Sequence, residues 1–225
     1  MAVPEALTAI PGVRTAAQLR EPGQGELLTV LPELAQLLPD GGLRRGSTIA
    51  VRGATSLVLA LLAAATRNGS WAAVTALPEL GLAAAAELGV DLERLALVPH
   101  PGAELVAVLS ALVDGFDLVV LGSAAVQPQT ARRLAGRVRN RGTVLLTAGP
   151  WPGADLELKV SRRRWHGITQ DGHGHLTARD VVATSRGRGA AARPSSVGLL
   201  LPGLEGALAE GGGGLPGRRL VGVAG

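Results

Sequence analysis

Cysteine and tyrosine are absent from this 225-residue chain, phenylalanine and lysine occur once each, and three tryptophans complete an aromatic content of 2%. The lack of cysteine excludes disulfides and thiolate metal sites. No uninterrupted apolar run reaches the ~18 residues that a membrane span requires. The longest candidate, Ser56 to Ala65, has the length of a core helix. The N-terminal stretch MAVPEALTAIPGV also lacks the basic segment and apolar run of a secretory signal. These absences lead to the expectation of a soluble, cytoplasmic protein with no membrane partner, compatible with association with the nucleoid.

The net charge is +4, and Lys159 is the single lysine among 22 basic residues. Arginine forks suit phosphates and carboxylates, so the places where arginines cluster carry more information than their number. The length allows one substantial α/β domain with a core that needs no covalent staples.

The stretch Gly41 to Ala65, GGLRRGSTIAVRGATSLVLALLAAA, organises the rest of the chain. It reads as a turn, a buried strand, a short glycine-bearing loop and a long apolar helix. In nucleotide-binding α/β domains this order places phosphates on backbone amides at the positive end of the helix.

Upstream, residues 1–25 carry Pro4, Pro11 and Pro22 and read as an irregular arm. The leucine spacing from Glu26 to Leu38 predicts a helix that stops at Pro39-Asp40-Gly41-Gly42. Downstream, strand and helix alternate: Thr48 to Val51 strand, Thr55 to Arg67 helix, Ala72 to Thr75 strand, Glu79 to Leu88 helix, Leu95 to Val98 strand, Ala103 to Val113 helix, Leu118 to Leu121 strand, Gln129 to Asn140 helix, and Thr143 to Thr147 strand. Short apolar strands each followed by a helix predict a mostly parallel sheet covered on both faces. After Pro152, Asp155 to Val160, Trp165 to Thr169 and Leu176 to Val182, with a turn at Asp171-Gly172-His173-Gly174, predict antiparallel strands on one edge. The core is expected over residues 26–185. Residues 186–225 then read as a loop and a flexible glycine-rich tail, with room for a short strand at Val197 to Leu201.

Several segments, in order and at compatible distances, resemble the RecA recombinase core over roughly residues 26 to 165. Gly41-Gly42-Leu43-Arg44-Arg45-Gly46 with the helix ending Ala63-Ala64-Ala65 resembles its start. Leu88-Gly89-Val90-Asp91 before Leu95 resembles its next helix-to-strand passage. Phe116-Asp117-Leu118-Val119-Val120-Leu121 stands where the Walker B strand would be. Arg132-Arg133-Leu134-Ala135-Gly136, with Thr143 to Leu146, resembles the helix and strand that come after it in the recombinase. The resemblance implies an α/β fold of RecA type.

The departures from that pattern bear on function. A Walker A loop needs Gly-Lys-[Ser/Thr] after a glycine-rich turn, so that amides cradle the phosphates, lysine reaches the β/γ oxygens and the hydroxyl holds magnesium. Here Gly53-Ala54-Thr55-Ser56 runs straight into the helix, about five residues short of that motif. The Walker B strand ends Leu121-Gly122-Ser123 without an aspartate, and the recombinase's catalytic glutamate falls near Leu77, with Glu79 two places off. Gly149-Pro150 replaces the nucleotide-sensing glutamine. Both DNA-gripping loops are missing too: only AAVQPQTA lies between Ser123 and Arg132, and only WPGAD follows Pro150. Loss of the phosphate-charge partners removes several kcal/mol of transition-state stabilisation, so the expectation is a pseudo-ATPase with no catalytic residue, cofactor or metal and a degenerate loop at Gly53 to Ser56.

A RecA-like core with these losses in an arginine- and alanine-rich chain resembles the ImuA-type accessory proteins, including the actinobacterial ImuA-prime group. That resemblance implies a non-catalytic scaffold in a DNA-damage-induced mutasome. Its partners would be an inactive Y-family polymerase homologue of the ImuB type and an error-prone C-family polymerase, acting in translesion synthesis. Two other functions stay open: an arginine-rich DNA-binding module, with DNA contact in the scaffold reading being indirect or weak, and a nucleotide sensor without hydrolysis.

Two basic clusters are candidate partner or nucleic-acid sites. ARRLAGRVRNRG places Arg132, Arg133, Arg137, Arg139 and Arg141 around a buried stripe of Leu134 and Val138; a solvated helix face is the plainer alternative. Arg162-Arg163-Arg164-Trp165 sets guanidinium groups beside an aromatic, a combination suited to single strands or an acidic partner. Trp151, between Pro150 and Pro152, has two open roles, a rigid core plug or a partner anchor. His166, His173 and His175 lack further ligands at zinc spacing and read as a solvated hairpin turn.

Overall fold

The computed structural model describes residues 27–122, 124–169, 171, 173–187 and 193–211. The expected arm over 1–25 and the tail beyond 211 lie outside the described residues. The chain opens with a ribbon of β1 (Leu27–Leu28) paired antiparallel to β2 (Leu43–Arg44), with a single helical turn, α1 (Pro32–Ala35), between them. Then come β3 (Thr48–Arg52), α2 (Thr55–Arg67), β4 (Ala72–Thr75), α3 (Leu82–Glu87), β5 (Leu95–Val98), α4 (Leu105–Gly115), β6 (Leu118–Leu121), α5 (Pro128–Arg141) and β7 (Val144–Thr147). The C-terminal part adds β8 (Leu156–Ile168), β9 (Gly174–Gly187), β10 (Ser195–Leu200) and β11 (Ala209–Glu210).

Nine strands form one sheet in the order β11-β10-β9-β8-β3-β7-β6-β4-β5. From β8 through β5 every pairing is parallel, whereas β9, β10 and β11 are each added antiparallel. The expected α/β architecture is therefore present: a mostly parallel sheet flanked by helices, with antiparallel C-terminal edge strands. The central strands are apolar on both faces because each face has its own core. Ile49, Val51, Val74, Leu118 and Val120 pack on the side of α2, while Ala50, Ala73, Val119, Leu121 and Leu145 pack on the side of α4 and α5.

Several boundaries depart from the sequence reading. The helix predicted over Glu26 to Leu38 is reduced to four residues. Leu27 and Leu28 are taken by the ribbon, and Leu31 is extended (φ −60, ψ 140), the conformation that a following proline imposes. Leu34, Leu37 and Leu38 are buried all the same, so their spacing reports contact with the core without reporting a helix. The helix predicted from Glu79 starts at Leu82, after Gly81 as N-cap. The two strands predicted at Asp155 to Val160 and Trp165 to Thr169 are one strand, with irregularities between Ser161 and Arg163 and between His166 and Ile168. The sheet also runs past the expected limit at 185, since β10 and β11 continue it to Glu210. No helix among the described residues is long and apolar enough to cross a membrane.

Candidate functional site

The loop between β3 and α2 is Gly53-Ala54. Gly53 has φ +95, a left-handed conformation that glycine adopts without steric cost. Ala54 is the N-cap at φ −158, with no side-chain cap, and the Leu57 N–H donates to its carbonyl at 3.2 Å. A two-residue loop has too few successive amides to wrap a polyphosphate, although the first turn of α2 still points its N–H groups outward.

Above this turn sits an arginine that the sequence reading did not single out. From β9, Arg179 donates through Nη2 to Ser56 Oγ at 2.8 Å and through Nε to the Leu201 carbonyl at 2.7 Å. Its guanidinium also lies 5.1 Å from the Trp165 ring centroid. The Arg179 backbone is fixed on both sides, its N–H donating to the Pro202 carbonyl and its own carbonyl accepting from Leu201, each at 2.8 Å. Thus the hydroxyl of the second residue of α2 is held by a cation of the chain itself. No local sequence signal links positions 56 and 179; the contact exists because β9 and the β10 end meet over the start of α2.

The other positions compared with a nucleotide site have structural roles of their own. Lys159, distant in sequence, lies in register beside Arg52 across the β3–β8 pair. Its neighbours Leu158 and Val160 face the core on the side of α2, so strand alternation puts Lys159 on the opposite face. At the end of β6, a Cβ added to Gly122 would collide with the Ala76 carbonyl, which explains glycine there. Asp117, at the other end of β6, accepts from Arg45 Nη1 at 2.8 Å and from the Trp71 N–H at 3.0 Å and ties the strand starts together. Glu79 is exposed in a turn.

Beyond the ends of β6 and β7 lies a cavity of about 550 Å³ lined by Gly122, Ala124, Val126, Thr147, Trp151 and Glu157, among others. Of the two roles open for Trp151, the structure places it in the core: it is 7% exposed and packs with the cluster under α4 and α5. Its buried indole N–H meets no acceptor among the described residues.

The two basic clusters are not alike. On α5, Arg132, Arg133, Arg137, Arg139 and Arg141 are all exposed. Arg137 grips Asp114 of α4 with two hydrogen bonds, the one from Nε at 2.7 Å, and Arg141 Nε adds a third at 3.0 Å. The Arg137 hydrogen bond holds the Asp114 carboxyl below the ordinary carboxylate range; Arg141 adds to this, and partial burial opposes it. On β8, Trp165 is 45% exposed and Arg164 is exposed beside it. The side chains of Arg162 and Arg163 lie outside the described residues. The guanidinium stacked on Trp165 is that of Arg179, from the facing strand. His166 Nε2 pairs with Asp180 Oδ2 at 2.6 Å, and no group of three or more His, Cys, Asp or Glu able to hold a metal occurs among the described residues.

The family model named MT3502 N-terminal domain matches residues 36–153, from α1's end through the turn that carries Trp151. The chain belongs to this family. Its MT3502 N-terminal domain thus comprises the parallel part of the sheet up to β7, and the β8–β11 strands that bring Arg179 to Ser56 lie beyond the matched residues. A curated relative, the uncharacterised protein Rv3395c of Mycobacterium tuberculosis, is 37% identical over 163 residues, covering 68% of this chain and 80% of that protein. Among solved structures, the flagellar accessory protein FlaH from Methanocaldococcus jannaschii matches with a TM-score of 0.52 at 13% identity, covering 77% of this chain and 94% of FlaH. At that identity the likeness shows the fold, and the MT3502-family chain has a RecA-like core.

Proposed function

We propose that this MT3502-family chain is a non-catalytic RecA-like scaffold in a DNA-damage-induced translesion synthesis complex, where it binds an inactive Y-family polymerase homologue of the ImuB type alongside an error-prone C-family polymerase. The observation that carries the non-catalytic part is the Arg179–Ser56 hydrogen bond over a two-residue loop. A cation already engaged there, with no lysine on the α2 side of the sheet, disfavours hydrolysis. The assignment to a mutasome rests on the resemblance to ImuA-type proteins in order of segments and in pattern of losses.

The surface best suited to a protein partner is the β8–β9 hairpin. Near its tip Ile168 and Leu176 are about half exposed, and Trp165 stands on the Arg179 guanidinium beside them. An aromatic on a fixed support with apolar neighbours is the composition of an interface hot spot. The test is co-purification with the ImuB-type homologue encoded in the same genome. Wild type is expected to form a stable complex, and the Ile168→Ser/Leu176→Ser variant to bind at least tenfold more weakly with an unchanged melting curve. Full-strength binding by that variant removes the hairpin from the interface. Turnover by the pure protein overturns the non-catalytic reading, and a melting temperature raised by several degrees with ATP and magnesium replaces the scaffold with a nucleotide sensor.

A further inference from the structure

On the exposed side of α5, Gly136 interrupts a helix at a position where nothing in the fold asks for glycine. No atom lies within 4 Å of the place a Cβ would occupy, and glycine inside a helix is unfavourable relative to alanine. At about 100° per residue, Arg132 and Arg139 fall on one side of Gly136 and Asn140, and Arg133, Arg137 and Arg141 fall on the other. Gly136 therefore separates two rows of arginine on the surface of α5 and leaves a trough beside the row of Arg133, Arg137 and Arg141. This open depression of about 570 Å³ runs beside Gly136 and Asn140 and is walled by Arg133, Arg137 and Arg141, with Arg132 and Arg139 standing outside it.

The charge on this face is concentrated. α5 carries five arginines and no acidic residue, and only Arg137 and Arg141 meet a carboxylate, Asp114 of α4. Arg132, Arg133 and Arg139 form no ion pair among the described residues. Asp114 meanwhile holds Arg137 and Arg141 in fixed directions along one wall. The exposed strip has no aromatic residue on which an unpaired base would stack.

We infer that the α5 trough is a docking face for double-stranded DNA, engaged through one strand of the phosphate backbone without base readout. The rows of arginine supply the counter-charge, and Gly136 lets the backbone approach the helix closely. Guanidinium forks suit phosphate oxygens, and a face with donors but no stacking surface favours duplex over single strand. This inference stands apart from the scaffold reading, since it concerns a helix on the other side of the sheet from the hairpin's Arg179 contact and needs no polymerase partner.

The experiment is fluorescence anisotropy of the full chain with a labelled 25-base-pair duplex, the matching single strand, and labelled poly-L-glutamate, each across a salt series. Duplex binding with a steep salt slope is expected, and Arg132→Ala/Arg133→Ala should lower that slope by about 2. Gly136→Ala separates structure from contact: it should raise the melting temperature by about 2 °C while weakening duplex binding about threefold or more. An unchanged slope in the double variant overturns the inference. So does an undiminished affinity in Gly136→Ala, or tighter binding of the single strand or of poly-L-glutamate than of the duplex.

Discussion

The helices α2 and α5 each follow a short parallel strand and have nearly the same length, yet nine of the thirteen residues of α2 are buried and only three of the fourteen of α5. The arginines at the two helices differ in the same way. Arg179 at the start of α2 has its guanidinium divided between a hydroxyl, a carbonyl and an indole ring, whereas Arg132 and Arg133 project from α5 into solvent. The same side chain closes one site and leaves the other open. What distinguishes them is the neighbourhood supplied by distant elements: β9 and the β10 end cover the start of α2, whereas α4 and the turn at Gly46 touch α5 and leave its arginine side chains exposed.

This contrast can be broken most strongly inside α2. Leu61 is fully buried, and Leu61→Ala is expected to cost about 3 kcal/mol, lowering the melting temperature by roughly 6–12 °C. Arg132→Ala on α5, by comparison, should stay within about 0.5 kcal/mol. Chemical denaturation of both variants makes the comparison direct.

Next in size is Arg179→Ala. It removes two hydrogen bonds from a charged donor and the stacking on Trp165, for a loss of about 2 kcal/mol. Arg179→Lys should recover only part of it, because an ammonium group neither forks between Ser56 and Leu201 nor lies flat on an indole. Full recovery by lysine would mean that charge alone closes the site.

A smaller loss than that of Arg179 concerns Asp114, the carboxylate through which two arginines tie α5 to α4. Asp114 is about a quarter exposed and its arginine partners more so, so Asp114→Ala should cost only about 1 kcal/mol after solvent screening. Its folded pKa lies below the unfolded value. The contribution is therefore complete above the unfolded carboxylate pKa and is lost as pH falls through the folded one. Melts of wild type and Asp114→Ala should converge in acid and in high salt, and a gap that persists there would point to packing as the source.

Much of the fold was legible in the sequence because its central strands are short apolar runs with turn residues at both ends. The boundaries of α2, β4, β5 and β6 agree with those expected. The expected helix before β2 failed because leucines at helical spacing also satisfy a turn packed on a core, and Pro32 alone does not reveal which. The expected end of the domain at 185 failed for a related reason: β10 and β11 are short, and Gly198 and Gly211 near them resemble linker composition, although their strands complete the sheet. The shortness of the Gly53-Ala54 loop was readable from the sequence. The arginine beside it was not, since the Ser56–Arg179 pair spans 123 positions and depends on how an antiparallel edge folds over the parallel sheet. The arginine cluster on α5 was plain, but its division into residues tied by Asp114 and residues left in solvent required the position of α4.

The contact between Gly122 and the Ala76 carbonyl limits what position 122 can hold. An aspartate placed at the end of β6 would first have to displace the β4 end, where Ala76 already sits at φ +55. A single codon change would unsettle two strands before offering any ligand to a metal. Any side chain at position 122 thus begins with a loss of stability, and the β4 and β6 ends hold each other to a glycine at this crossing.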